Sequence, residues 1–196
     1  MDSAELLLRE IIDSDICKGC EPPDSKPLLS FSSQSKILIV GQAPGIKAIE
    51  SGIPWNDASG KRLRAWMGIS DDDFYDKDKV AIVPMDFCFP GKGKSGDLPP
   101  RPICAQTWMR KILNELQNVE LTLLIGQYAQ AYFLGERRKE NLTSTVKNWK
   151  DYYPSYFVMP HPSPRNNIWL KKNEWFERDV LPVLQRDIKS MYQQQV

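Results

Sequence analysis

The chain has 196 residues, of which 41% are hydrophobic and 26% are charged. The length suits one ordinary domain of roughly 100–200 residues, and the composition excludes an intrinsically disordered chain. The 26 Lys and Arg residues nearly balance the 25 Asp and Glu residues, which leaves a formal net charge of +1. A strongly polybasic binder is therefore excluded, whereas a local basic groove is not.

The expected location follows from hydropathy and from the N-terminal residues. No apolar run approaches the ~18 residues of a membrane span, and the start, MDSAELLLRE, is acidic where a signal peptide needs basic residues. We therefore expect a cytoplasmic protein without membrane contact. No sequence feature implies a protein partner, and we expect a monomer.

Four short apolar runs predict buried strands, because each run is continuous rather than alternating. They cover residues 36–41, 80–85, 121–126 and 156–160. Helical spacing predicts helices over residues 3–12, 60–68, 104–117, 127–134 and 173–192, with a serine cap before the first and a kink at Pro182 in the last. The Pro- and Ser-rich residues 21–35 predict a crossing over the surface.

Strands that alternate with helices indicate an α/β fold. We predict a three-layer sandwich with a central, mainly parallel four-stranded sheet, built as one domain over residues 1–196. Ligands of such sheets bind beyond the carboxyl ends of the strands. Nearly all the unusual residues of the chain lie in the loops at those ends, which are GQAPG (41–45), DFCFPGKGKSGDLPP (86–100), GQYAQ (126–130) and HPSPRN (161–166).

The loop HPSPRN contains the only histidine of the chain, His161. Prolines fix the backbone around it, so its ring can donate a hydrogen bond to an anion that forms on a departing group. Arg165 in the same loop can bind a phosphate. A turn histidine bonded to the backbone is the alternative. Taken alone, GQAPG is more typical of a tight turn, because it lacks the Gly-Lys-Ser/Thr ending of a phosphate loop.

The four cysteines are Cys17, Cys20, Cys88 and Cys104. In a reducing cytosol, cysteines are more often metal ligands or free thiols without a specific role than partners in a disulfide. The C-x2-C pair can grip one metal ion or cluster, but the wide second pair is unlike a zinc ribbon, and incidental cysteines remain an equal alternative. Trp55, between a proline and polar residues, is placed to stack on a flat ligand.

Taken in order, these residues resemble the uracil-DNA glycosylase superfamily, and most closely its family 4, the iron–sulfur branch. GQAPG is similar to the family's G-E-A-P-G, GIPWNDASG (52–60) is similar to its second glycine-rich motif, and its closing H-P-S-P is intact at 161–164. The C-x2-C pair and the later cysteines also match in position. The resemblance covers about residues 15–185.

The resemblance implies a DNA glycosylase of base excision repair, which flips uracil or another deaminated base out of DNA and hydrolyses its N-glycosidic bond. The base would stack on Trp55, and His161 would stabilise the base anion. The further implied residues are the base-binding Gly41 and Ala43 and the DNA-binding Lys92, Lys94, Ser163, Arg165 and Asn166. The resemblance also implies a structural 4Fe–4S cluster on the four cysteines, with zinc or no metal as alternatives.

The chain departs from the family pattern where the base is read. Pro84 replaces the Asn that reads the uracil edge, and Asp86, two residues on, could face the pocket and accept a hydrogen bond from a ring N–H or amino group. Gln42 replaces the acidic residue of G-E-A-P-G, so orientation of the attacking water falls to Gln42, Asp57 or a backbone group. We therefore expect a substrate other than plain uracil, or low activity.

Two other functions compete with glycosylase activity. The first is a nucleic-acid or nucleotide-binding protein that keeps the fold but little of the chemistry. The second is a hydrolase or transferase that acts on free nucleosides or other small molecules. The nearly neutral net charge slightly favours both of these over a DNA enzyme.

Overall fold

The computed structural model of the protein describes residues 2–94 and 96–193. The strands are β1 Ile37–Val40, β2 Val80–Ile82, β3 Lys92–Gly93, β4 Gly96–Asp97, β5 Leu121–Ile125 and β6 Tyr156–Met159. The α-helices are α1 Ser3–Ile12, α2 Ile46–Ser51, α3 Ala58–Met67, α4 Asp71–Tyr75, α5 Pro102–Cys104, α6 Arg110–Glu115, α7 Gly126–Leu134, α8 Leu142–Lys147, α9 Asn167–Lys172 and α10 Leu181–Gln193. Two π-helical segments, Ala105–Met109 and Phe176–Val180, lead into α6 and α10.

The four longer strands form one parallel sheet in the order β2-β1-β5-β6. In its register, Ile39 lies opposite Ile82 on one side and opposite Leu123 on the other. Every residue of β1 and β5 is buried, which explains why these strands read as continuous apolar runs. Helices α4, α7 and α8 contact β2, β5 and β6. The predicted α/β fold with a parallel four-stranded sheet is confirmed.

The segment over residues 21–35 differs from its prediction in its second half. Ser30 and Ile82 exchange two backbone hydrogen bonds, at 3.0 and 2.7 Å, so the chain pairs with the outer edge of β2. Phe31 is completely buried. The segment therefore covers an open sheet edge instead of crossing the surface, which protects β2 from pairing with another chain.

Both predicted terminal helices form, with different details at their ends. The carboxylate of Asp2, rather than a serine, caps α1 by accepting a hydrogen bond from the Glu5 amide at 2.8 Å. Pro182 is the second residue of α10, but the π-helical segment before it makes it an internal residue of one continuous helical run, where it donates no backbone hydrogen bond to the preceding turn. The expected irregularity lies just before it, in the π-helical segment. Within the described parts of the chain, no helix has the length and apolar character that a membrane crossing requires.

The loop after β2 runs beside the loop after β1. The amides of Met85 and Asp86 donate to the carbonyl groups of Gly41 and Gln42 at 2.9 and 3.0 Å. Further on, β3 and β4 pair antiparallel and form a short hairpin that the sequence did not predict. The carboxyl ends of the strands therefore bring the first, second and last of the four predicted loops to one edge of the sheet.

Candidate active site at the carboxyl ends of the strands

A cavity of about 220 Å³ lies among these loops. This is below the ~300–1,000 Å³ of pockets for drug-sized ligands, so it suits one small, flat molecule. The inner wall of the cavity is formed by its buried lining residues, whose side chains are apolar except for the hydroxyl of Ser59. These residues are Gly41, Ala48, Ser59, Ile82 and Pro84. Its rim is polar, and the exposed lining residues are Asp97 and Arg165.

Trp55 forms one side of the cavity and has a constrained backbone. Its φ angle is 57°, in the left-handed region that non-glycine residues rarely occupy. A Cβ atom at Gly60 would overlap its carbonyl oxygen, and a Cβ atom at Gly41 would come within 2.9 Å of its indole Cζ2. Arg64 donates to the same carbonyl at 3.3 Å and is itself paired with Asp71 at 2.7 Å. The indole position is therefore set by its surroundings.

His161 stacks on that indole, with the ring centroids 5.4 Å apart and the planes inclined by 29°. Its Nδ1 accepts a hydrogen bond from the Ser163 amide at 3.2 Å, which assigns the hydrogen of the neutral ring to Nε2. Burial lowers the pKa of His161, although the charges of Asp57 and Asp97 act in the opposite direction. The ring is therefore neutral at pH 7 and keeps an N–H that can donate to an anion.

The loop that carries His161 is held from two sides. Asn166 donates to the carbonyl of His161 at 2.7 Å. Arg62, on α3, donates to the carbonyl of Ser163 at 3.2 Å and to the side chain of Asn167 at 2.8 Å. Sequence reasoning missed Arg62, because its partners are distant in the chain and no local pattern marks the contact.

Asp57 lines the cavity, and it also has a structural task. Its Oδ1 accepts a hydrogen bond from the Gly60 amide at 2.8 Å and caps α3. Its second carboxylate oxygen has no hydrogen-bond partner in the part of the chain that the structure describes. Gly41 and Ala43, predicted to bind the base, also line the cavity, as do Ser163 and Arg165, which were predicted to bind DNA.

Gln42 lies outside this cavity. Its side-chain amide donates to the carbonyl of Leu98 at 3.1 Å, and it borders a smaller cavity of about 180 Å³ that His161 and Asn166 also line. The role of Gln42 in orienting a water stays a prediction; its amide nitrogen is bonded to the chain that follows the hairpin, and Gln42 does not line the main cavity.

Asp86 does not line the cavity either. It is completely buried and accepts hydrogen bonds from the backbone, Nε and Nη2 of Arg101, at 2.8 to 2.9 Å. Burial alone would raise the pKa of Asp86, but the bonds from Arg101 outweigh it and hold the pKa below its ordinary value. The expectation that Asp86 faces a bound base is therefore corrected. Lys92 and Lys94 are exposed on the hairpin and do not line the cavity.

The four cysteines converge behind the second loop. The sulfur atoms of Cys17, Cys20 and Cys88 lie within 4.8 Å of one another, as do the side-chain ligand atoms of Cys88, Cys104 and Asp86. Cys17 and Cys88 form a disulfide, contrary to the expectation for a reducing compartment. Burial raises the pKa of Cys104 to about 12, and its thiol donates to Asp86 at 3.3 Å. The sulfur-rich donor set could bind a metal.

One comparison with known proteins bears on these findings. The family model described as "Uracil DNA glycosylase superfamily" matches residues 30–185. The matched range contains the parallel sheet, the loops that form the cavity and the hairpin. Cys17 and Cys20 precede it.

The constraint on Trp55 predicts a large effect of Gly60→Ala. Because the new methyl group overlaps the Trp55 carbonyl, we expect the free energy of unfolding to fall by about 2–4 kcal/mol, measured by urea denaturation. Gly45→Ala is the matched control, since a Cβ atom there meets nothing within 4 Å; it should cost about 1 kcal/mol or less. Equal losses in the two variants would contradict the constraint.

The lowered pKa of His161 predicts that this residue makes the fold acid-sensitive. Below pH 6.5 the unfolded chain binds a proton that the folded ring resists, so the free energy of unfolding decreases as the pH falls. One group can contribute at most about 1.4 kcal/mol per pH unit. Between pH 7.5 and 5.5 the wild type should lose more stability than His161→Gln, which has no such group. Parallel curves for the two proteins would show that the ring titrates normally.

Proposed function

The chain belongs to the uracil DNA glycosylase superfamily, and we propose that it removes uracil or another deaminated base from DNA by hydrolysis of the N-glycosidic bond. Members of this superfamily are DNA glycosylases. The observation that carries the proposal is the stacked pair of Trp55 and His161 at the edge of a cavity with an apolar inner wall and a charged rim.

Base binding uses the shape of the cavity. A flipped nucleotide enters with its ring first, because its sugar and phosphates stay attached to the strand. The ring stacks on Trp55 and lies along the apolar inner wall, while the sugar stays at the polar rim. There Arg165 reaches the backbone phosphates, and the exposed Lys92 and Lys94 extend the positive surface despite the small net charge of the chain.

Bond cleavage leaves negative charge on the base and positive charge on the sugar. The Nε2–H of His161 donates to the developing base anion, and the neutral state of the ring keeps this donor in place without a proton transfer. The hydrogen bond from Ser163 and the stack on Trp55 fix the ring before the substrate arrives. His161 therefore acts as an anion stabiliser.

The choice of base differs from that of an enzyme that reads uracil with an amide. Pro84 and Ile82 in the inner wall offer no side-chain hydrogen bond to the base edge. A wall that cannot pair with a particular edge discriminates weakly between bases of similar shape. We therefore propose that the protein accepts hypoxanthine or xanthine as well as uracil, and that it removes uracil slowly.

We propose that the four cysteines hold a 4Fe–4S cluster in the reduced protein. Four sulfur donors suit this cluster, and zinc is the alternative. The disulfide between Cys17 and Cys88 must be reduced before all four thiolates can ligate. When bound, the cluster would supply a cross-link between the N-terminal segment and the loop after β2, with no part in base removal.

A binding protein with little chemistry is the second candidate. It is favoured by one observation, namely that Gln42 and Asp86 are both engaged in structural hydrogen bonds outside the cavity. Such a protein would bind a flipped base through Trp55 without releasing it.

Base release tests the first function against the second. Oligonucleotides that carry uracil, hypoxanthine or xanthine are incubated with the protein, and alkali then cleaves any abasic sites. We expect strand cleavage with at least one base, and His161→Ala should slow it by about 10²–10³-fold while DNA affinity is nearly unchanged. Lys189→Ala, an exposed change on α10, should match the wild type. Binding without any release supports the binding protein instead.

Metal analysis tests the cluster. Protein purified without oxygen in the presence of a thiol should contain about four iron atoms and four sulfides per chain and absorb visible light. Cys88→Ser should lose the iron, because Cys88 belongs to both cysteine groups. Stoichiometric zinc would support a metal site but not a cluster. Protein that contains neither iron nor zinc would rule out both the cluster and the zinc site.

A further inference from the structure

Asp97 is a carboxylate at the cavity rim with no structural task that we can assign. It is exposed, and it lines the cavity together with Trp55, Asp57 and His161. In residues 2–94 and 96–193, no hydrogen bond of its side chain and no ion pair within 4.0 Å is present. Asp57 differs, because one of its oxygens caps α3. Asp97 is thus the lining carboxylate with both oxygens available.

The hairpin that carries Asp97 is fixed to the site at several points. Its Cα atom lies opposite that of Lys92 in the antiparallel pair. The next residue, Leu98, accepts a hydrogen bond from Gln42 at 3.1 Å and donates to the carbonyl of Gly91 at 2.9 Å. The guanidinium group of Arg165 lies so close to Gly96 that a Cβ atom there would overlap it. The position of Asp97 at the rim is therefore set by its neighbours.

We infer that Asp97 is the catalytic carboxylate that activates the attacking water, a role that rests on the proposed glycosylase function. The rim is where the sugar of a flipped nucleotide lies, because the ring fills the apolar inner wall. A carboxylate at that place accepts a proton from water and stabilises positive charge on the sugar. Asp97 lines the same cavity as His161, whose ring receives the base anion.

The step balances as a hydrolysis. The electron pair of the bond between C1′ and the base nitrogen leaves with the base, whose anion the Nε2–H of His161 stabilises. The oxygen of a water molecule bonds to C1′, and the proton of that water passes to the carboxylate of Asp97. Asp97 returns this proton to the solvent, and the released base takes one proton from the solvent. No oxidant, metal or cofactor is consumed.

Other groups are less suited to this role. Gln42 does not line the cavity, and an amide cannot take a proton from water. Asp86 is buried against Arg101. Asp57 can hold a water with its second oxygen, so the experiment must separate it from Asp97.

The test compares single-turnover release rates of three isosteric variants on the base that the wild type removes fastest. Asp97→Asn removes the charge and should slow release by about 10²-fold or more. Asp57→Asn keeps a capping side chain and should cost less than about 10-fold. Glu140→Gln, an exposed change of equal charge, should equal the wild type. Asp97→Glu should recover part of the rate, because it restores the carboxylate.

Two further measurements exclude a structural effect. The urea midpoint of Asp97→Asn should equal that of the wild type, since the side chain has no partner to lose in the described structure. Affinity for an oligonucleotide with a non-hydrolysable 2′-fluoro nucleotide should be unchanged or higher, because a negative charge beside the phosphates is removed.

The outcomes separate the two claims. An active wild type whose Asp97→Asn variant keeps its rate overturns the role of Asp97 and leaves the glycosylase function standing. Loss of rate in Asp57→Asn alone assigns the water to Asp57 instead. A wild type that releases no base overturns the glycosylase function, and the role of Asp97 falls with it.

Discussion

The stack of His161 on Trp55 is the contact on which the rest of the site depends, because it joins two loops that are far apart in the chain. The indole reaches this place only with a left-handed backbone, and that backbone fits only because Gly60 has no side chain. Gly41 leaves room for the far edge of the same ring. Gly41 and Gly60 have no side chain that could contact a base, but they make room for Trp55 and thereby set the positions of the indole and of the imidazole stacked on it. Strain at such a residue persists because several neighbours hold it, as the bond from Arg64 to the Trp55 carbonyl illustrates.

The charges around the cavity make the neutral state of His161 important. Burial favours the neutral ring, whereas Asp57 and Asp97 favour the charged one, and the lowered pKa shows that burial prevails. A base anion would therefore form near two carboxylates and a neutral donor. Arg165 is the one cation among the described lining residues, so in the proposed complex it would offset this negative charge besides binding phosphate. The guanidinium group of Arg165 packs against Gly96, the residue before Asp97, so the positive charge of Arg165 and the carboxylate of Asp97 are held in the same part of the rim.

The sequence predicted the parts of the protein that depend on local pattern. Continuous apolar runs identified all four strands of the sheet, and their order along the chain placed GQAPG and HPSPRN at one edge. Helices α2, α4, α8 and α9 were missed because five or six residues are too few for a helical period to show. The hairpin was missed because its strands have two residues each. Asp86 was misplaced since its partner Arg101 is 15 residues away and only folding brings the two together.

The distribution of polar groups in the cavity bears on how a base would be chosen. A site whose wall pairs with one particular edge rejects other bases strongly, because a wrong base leaves buried donors and acceptors unpaired. Here Pro84 and Ile82 carry no such groups and the hydroxyl of Ser59 is the one polar side-chain group among the buried lining residues, so a wrong base meets little penalty there. The polar groups are instead at His161 and along the rim, where the leaving anion and the sugar would lie. Such a cavity selects for the stability of the departing anion more than for the pattern of its edge. Deaminated bases satisfy that criterion as a class, since each carries a carbonyl in place of an amino group, and the added carbonyl helps to hold the negative charge.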